Sequence, residues 1–192
     1  GVFSRIYNAQ GEAVSDEFQV NTITDNNQTP QTVTAMTDGG FLTTWLSQHE
    51  DYSQLYAKKY DDQGVASQSE FKVGDYYGGY HHTYALADGG FAIVWEVSTA
   101  WSTFGLKLYD SEGLELEHDF AFVSDGEVYA NNPKITLING GGFELSWSEY
   151  PVSQSATHYH YIQRFDAQGS SILRQVQQAS MELTPVGDGD HI

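Results

Sequence analysis

Asp38-Gly39-Gly40-Phe41, followed four residues later by Trp45, is the stretch on which the fold turns, because it comes back twice. It returns as Asp88-Gly89-Gly90-Phe91 with Trp95, and as Gly140-Gly141-Gly142-Phe143 with Trp147, about fifty residues apart each time. A second motif recurs in phase with the first: Tyr7-Asn8-Ala9-Gln10-Gly11, Tyr60-Asp61-Asp62-Gln63-Gly64, Tyr109-Asp110-Ser111-Glu112-Gly113 and Phe165-Asp166-Ala167-Gln168-Gly169. Ten residues beyond the first three of these aromatics lie Glu17-Phe18, Glu70-Phe71 and Asp119-Phe120; the fourth copy departs from the rule with Gln175-Val176. Two motifs in fixed phase define a repeat, and a repeat of this length means stacked supersecondary units.

Each unit reads as four strands. Strand A covers residues 32–36, 84–87 and 135–138, and the Asp-Gly-Gly signal turns it tightly into strand B. In strand B the period of two puts Phe41, Thr43 and Trp45 on one face, as it does Phe91, Ile93, Trp95 and Phe143, Leu145, Trp147, so that face is core. Strand C ends at the aromatic of the second motif, whose Asp/Asn-x-x-Gly suits a hairpin loop with glycine at positive φ. Strand D carries Phe18, Phe71 or Phe120. No segment has an amphipathic helical pattern.

The fold expected is therefore all-β and β-propeller-like, a single repeat domain over 1–192. It divides into a half unit (1–28), three whole units (29–79, 80–130 and 131–181) and a partial closing strand (182–192). A four-bladed ring, an open stack of sheets and a β-trefoil all remain open at this point. The second face of strand B is apolar in two units (Leu42, Leu46; Ala92, Val94) and polar in the third (Glu144, Ser146, Ser148), as an end sheet facing solvent would be.

Composition narrows function by exclusion. Against 26 Asp and Glu stand only 8 Lys and Arg, a net charge of −18, which repels nucleic acid and anionic lipid. No apolar run is long enough for a membrane span, so no membrane insertion is expected. The absence of cysteine excludes disulfides, thiolate zinc sites and cysteine nucleophiles. No basic-then-apolar leader opens the chain, so any export signal is expected to lie outside it. Gly-x-Ser-x-Gly, His-Glu-x-x-His and phosphate-binding glycine loops are all missing, which leaves an enzyme without support.

The phrase Gly1-Val2-Phe3-Ser4-Arg5-Ile6-Tyr7-Asn8-Ala9-Gln10-Gly11 through Glu17-Phe18-Gln19-Val20-Asn21, with Asp38-Gly39-Gly40-Phe41 and Trp45, resembles the repeat of very large secreted bacterial proteins of the RTX type. These include calcium-dependent adhesins and hemolysin-type calcium-binding proteins. The resemblance covers nearly the whole chain and implies export, an extracellular or cell-surface setting and an adhesive or extension role, often near calcium. The glycine-rich calcium nonapeptide of that class is absent, Gly187-Asp188-Gly189-Asp190 being at most a scrap of it.

Antiparallel order puts the short A–B and C–D turns at one end of the sheets and the longer, dissimilar B–C and D–A connections at the other, where function usually sits. Those connections hold Tyr52, Tyr76, Tyr77, Tyr80, His81, His82, Trp101 and Tyr150, a set suited to stacking on sugar rings, and equally suited to covering the ends of the sheets. Asp75 and Asp125, at equivalent positions, are the candidate calcium ligands, although no Asp-x-Asp-x-Asp loop occurs. His158-x-His160 with His81-His82 is a weaker pattern for zinc. Arg5, Lys58 and Lys107 share one position of strand C and are expected to pair with Glu17, Glu70 and Asp119. Three readings follow: a recognition module that binds an extracellular glycan or other surface ligand, a structural spacer with no ligand, and a glycan-active hydrolase.

Overall fold

The computed structural model describes residues 1–48, 52–76, 80–98, 103–117, 128–139, 141–151 and 157–180. Among them there is no helix. Strands β1 (Phe3–Ser4) and β2 (Phe18–Gln19) form a two-stranded hairpin. The first four-stranded sheet consists of β3 (Gln28–Ala35), β4 (Phe41–Gln48), β5 (Ser53–Tyr60) and β6 (Phe71–Tyr76). The second holds β7 (His81–Ala85), β8 (Phe91–Ser98), β9 (Thr103–Tyr109) and β10 (Glu115–Leu116), and the third β11 (Val128–Leu137), β12 (Phe143–Pro151), β13 (Thr157–Phe165) and β14 (Ser171–Ser180). All pairings are antiparallel between sequence neighbours, so each unit is a meander in the A-B-C-D order expected.

Both turn motifs act as the sequence implies. Gly39, Gly89 and Gly141 take φ of 89°, 93° and 96°, and the amides of Gly39 and Gly89 donate back to Met36 and Leu86, three residues earlier. In the C–D turns the Asp or Asn side chain caps its own loop: Asp61 Oδ1 accepts from the amides of Gln63 and Val65, and Asp166 Oδ1 from those of Gln168 and Ser170. Those carboxylates are spent on backbone donors that a tight turn leaves unpaired.

Strand A is longer than the pattern suggested. Pro30 and Pro133 argue against strand, but each falls where the register shifts, between Pro30 and Thr32 and between Asn131 and Lys134. An edge strand with a bulge tolerates a residue that cannot donate.

The sheets stack in chain order through three cores. Val2 and Val20 of the N-terminal segment pack with Trp45 and Tyr60, and Leu42, Leu55, Ala57 and Val73 of the first sheet pack on Phe91, Ile93, Trp95 and Tyr109 of the second. Leu86, Ala92, Val94 and Leu108 of the second sheet pack in turn on Phe143, Leu145, Trp147 and Phe165 of the third. Within each sheet the Phe of strand B stacks on the aromatic ending strand C: Phe41 on Tyr60 at 4.9 Å, Phe91 on Tyr109 at 4.7 Å, Phe143 on Phe165 at 4.8 Å. The strand D Phe of the preceding unit closes on this pair, Phe18 at 5.5 Å from Tyr60 and Phe71 at 5.0 Å from Tyr109. Phe120 lies outside the described residues.

The tryptophans form a second layer. Trp45 stacks on Tyr56 and Trp147 on Tyr161, each on its cross-strand partner. In the second sheet that partner is Gly105, and Trp95 lies against it instead; a Cβ on Gly105 or on Gly74 of the neighbouring sheet would come within 2.6 Å of the indole. The indole N–H donates to the Asp75 carbonyl at 3.1 Å.

Charge pairing differs from expectation. Lys107 meets Glu115 at 2.7 Å, whereas Lys58 donates to the Val20 carbonyl and Arg5 to the Ser15 carbonyl. Glu70 accepts from the amides of Thr22 and Ile23, and Asp119 lies outside the described residues. No local sequence pattern marks Lys59 for burial. It is 3% exposed and ties the first sheet to the second, with Nζ at 2.7 Å from Asp38 Oδ2 and 2.5 Å from the Ser111 carbonyl. That contact holds the Asp38 carboxyl below its usual range, helped by the Gly40 amide.

Two substitutions test this packing. Gly105→Ala is expected to lower stability to urea by about 1–3 kcal/mol, since a methyl has no room beside a wedged indole. Tyr109→Phe is expected to leave stability unchanged or raise it by about 1 kcal/mol, because the Tyr109 hydroxyl is buried with no hydrogen-bond partner among the described residues and the third unit already carries Phe165 there.

Candidate functional site

The end formed by the B–C and D–A connections collects most of the residues singled out in the sequence. Ser53 pairs with Tyr76 across β5 and β6, so Tyr52 sits beside the end of β6; Tyr129 pairs with Tyr150 across β11 and β12. Tyr80 immediately precedes β7, whose first two residues are His81 and His82. Tyr77, Trp101 and Asp125 lie outside the described residues.

Alternation along β7 separates the two histidines. His82 is exposed and stacks with Tyr80 at 6.0 Å, with Tyr84 at 6.2 Å on its other side. His81, expected in a loop, turns inward between the first two sheets, as does Tyr76, which closes β6 at 7% exposure. The ring edge of one meets the face of the other at 6.2 Å. His81 Nε2 lies 3.0 Å from Thr44 Oγ1, which also contacts Thr32 Oγ1 at 2.8 Å, while Thr34 and Thr83 join hydroxyls across the same interface. A polar seam thus lies at the interface of the first two sheets, beside their shared apolar core. Burial, reinforced by His82, pushes the His81 pKa down to about 4.

A second polar group lies on the first sheet. Tyr56 Oη donates to Gln54 Oε1, Gln54 Nε2 to Asp75 Oδ1, and Lys72 Nζ lies 2.7 Å from the same Asp75 oxygen. The hydrogen bond from Lys72 to the Asp75 carboxylate raises the Lys72 pKa, in a pair whose side chains are both largely solvent-exposed. Tyr52, 38% exposed, borders this patch. In the third sheet Trp147 Nε1 donates to the buried Glu149 at 2.8 Å, and Ser148 Oγ lies 2.9 Å from His160 Nδ1. That Ser–His contact has no carboxylate orienting the imidazole among the described residues, so it lacks the third member of a hydrolytic triad. No group of three His, Asp or Glu side chains among the described residues is placed to hold a metal ion.

What fold and site define is a class of architecture: an all-β chain of serially stacked antiparallel sheets whose variable connections gather at one end. The chain matches no family model, no curated protein and no solved structure in comparisons with each.

The buried histidine gives the site a pH signature. The unfolded chain takes up a proton at His81 near pH 6.5 and the folded chain only near 4. The contribution of neutral His81 is therefore complete above about 6.5 and is lost as the pH falls toward 4, by on the order of 2–3 kcal/mol. Urea titrations of the native protein and of His81→Gln between pH 7 and 5 check this: the native protein should lose stability more steeply, and the variant should flatten the profile.

Proposed function

We propose that this chain is a secreted, non-catalytic recognition module of the kind found in RTX-type adhesins, its sheets arranged as propeller-like blades, binding an extracellular glycan through the end that carries the variable connections. The observation that carries the reading is the aromatic strip along β7, in which exposed His82 stacks with half-buried Tyr80 and lies tilted against half-buried Tyr84, on an otherwise acidic surface. Sugar rings stack on such strips through their C–H faces, and neighbouring amides and carboxylates bond the hydroxyls. Tyr52 and Tyr150 extend the same end, and Tyr77 and Trp101 belong to the same connections in sequence. The division of labour also favours recognition: the repeated positions are used up in core and turns, while the connections between sheets are free to differ. Calcium enters this proposal as a bridging ion at that end, with Asp75 and Asp125 the candidate ligands.

A glycan array read with and without calcium tests the proposal. Binding should be lost in the combined variant Tyr80→Ala, His82→Ala and Trp101→Ala with the melting temperature kept; silence of the native protein across a broad array assigns the chain to the spacer role. Turnover of a polysaccharide abolished by a single carboxylate change would overturn both. If calcium is bound specifically, chelation at moderate salt lowers the melting temperature, since a ligand of the folded state stabilises it.

A further inference from the structure

On the first sheet a set of hydrogen-bonded polar side chains reaches the surface. Gln54 and Tyr56 share one face of β5, and Tyr52 precedes them in the same alternation. Across the ladder Gln54 pairs with Asp75 and Tyr56 with Lys72. Tyr56 Oη donates to Gln54 Oε1 at 3.1 Å and Gln54 Nε2 to Asp75 Oδ1 at 3.3 Å, while Lys72 Nζ lies 2.7 Å from that same oxygen. From behind, the indole of Trp95 donates to the Asp75 carbonyl at 3.1 Å, so the next sheet fixes the strand that carries the carboxylate. Tyr52 is 38% exposed, near enough for its phenol to act on the Lys72 charge, and the Lys72 and Asp75 side chains are 42% and 46% exposed. A phenol ring, an amide, an ammonium and a carboxylate thus meet on one patch, with the last three holding one another in place.

The sister sheets show that stacking does not call for this set. In the second, Gly105 stands in the place of Tyr56, and the indole of Trp95 lies on its backbone. In the third, Tyr161 stacks on Trp147 and the Arg174 guanidinium lies over its ring at 5.4 Å, a cation placed much as Lys72 is. The carboxylate there, Glu149, is buried and accepts the Trp147 indole N–H, so it is turned inward. At this position of the repeat the first sheet alone, among the described residues, joins a cation and an amide to an exposed carboxylate.

We propose that Tyr52, Gln54, Lys72 and Asp75 form a subsite for one neutral hexopyranose unit of a glycan. Sugar hydroxyls both donate and accept, and the patch offers each a counterpart: the Asp75 carboxylate accepts, the Lys72 ammonium and the Gln54 amide donate, and the Tyr52 ring gives apolar surface to the C–H groups. Charge selects a neutral sugar over an acidic one. The ammonium stands beside a carboxylate at 2.7 Å, so the patch has no net positive charge to offer, and the whole chain carries −18. The inference rests on the recognition reading given above and adds to it a sugar class and a patch separate from the Tyr80–His82 strip.

Amide NMR of the isotope-labelled chain tests the subsite, with the methyl glycosides of glucose, galactose and mannose and with glucuronic acid as probes, in the presence of a chelator. At least one neutral glycoside should shift the amides of Gln54 and Asp75 saturably, and glucuronic acid should bind about tenfold more weakly or not at all. With the melting temperature unchanged, Asp75→Asn and Tyr52→Ala should each weaken that binding by about tenfold, whereas Arg174→Ala should leave it as it was. The combined variant of Tyr80, His82 and Trp101 should also keep it, so the strip and the subsite are read separately. No saturable shift at Gln54 and Asp75 with any neutral glycoside, a preference for glucuronic acid, or indifference to both Asp75→Asn and Tyr52→Ala would overturn the proposal. A glycan that binds the strip while these amides stay silent would overturn it too, and would leave the recognition reading standing. So would binding that appears only when calcium replaces the chelator, which would assign Asp75 to the ion.

Discussion

Three rings meeting at a junction are the contact on which this architecture depends, in the two junctions where all three are described: the Phe that opens strand B, the aromatic that ends strand C, and the strand D Phe of the unit before. Each alone is an ordinary apolar side chain. Together they join a hairpin to its neighbour within a sheet and one sheet to the next. Stacked and tilted pairs of this kind contribute about 0.5–1.5 kcal/mol beyond their buried area. The two junctions in which all three rings are described, Phe18 with Phe41 and Tyr60, and Phe71 with Phe91 and Tyr109, reproduce the arrangement closely. A sheet with only one neighbour could not bury both faces of its strand B, which is why the units occur in series.

That contact explains which part of the fold the sequence discloses. The markers legible as text, Asp-Gly-Gly-Phe and aromatic-Asp-x-x-Gly, are the residues that fix turn geometry and place those rings, so their recurrence announces the sheets directly. Strand A runs further back than the turn signal marks, because the bulges beside Pro30 and Pro133 accommodate residues that cannot donate to the ladder. Lys59 was invisible for another reason: its partners, Asp38 and the Ser111 carbonyl, are brought to it by sheet stacking, and no local pattern marks a lysine for burial. Gly105 could have been noticed, since a glycine inside a strand where the sister units carry Tyr56 and Tyr161 signals close approach of something large.

The variable end was legible in outline and not in detail. Antiparallel order is enough to gather Tyr52, Tyr80, His82 and Tyr150 at one end. It does not say that the strands run on far enough to draw Tyr76 and His81 inside, where alternation turns one histidine to the threonine seam and the next to solvent. The acidity has a similar explanation. Several carboxylates, among them Asp61 and Asp166, cap their own turns, and cations such as Arg5 and Lys58 are committed to backbone carbonyls, so the surface keeps a large negative charge without a cluster of three carboxylate or imidazole groups among the described residues.

The most direct measurement of the central contact is a double-mutant cycle between Phe71 and Tyr109, rings from successive sheets 5.0 Å apart, using Phe71→Leu and Tyr109→Leu singly and together with stability read by urea unfolding. If the aromatic junction joins the sheets, the two losses are non-additive, with a coupling of about 0.5–1.5 kcal/mol. Strictly additive losses would contradict it, and would mean that the sheets are held by apolar burial alone.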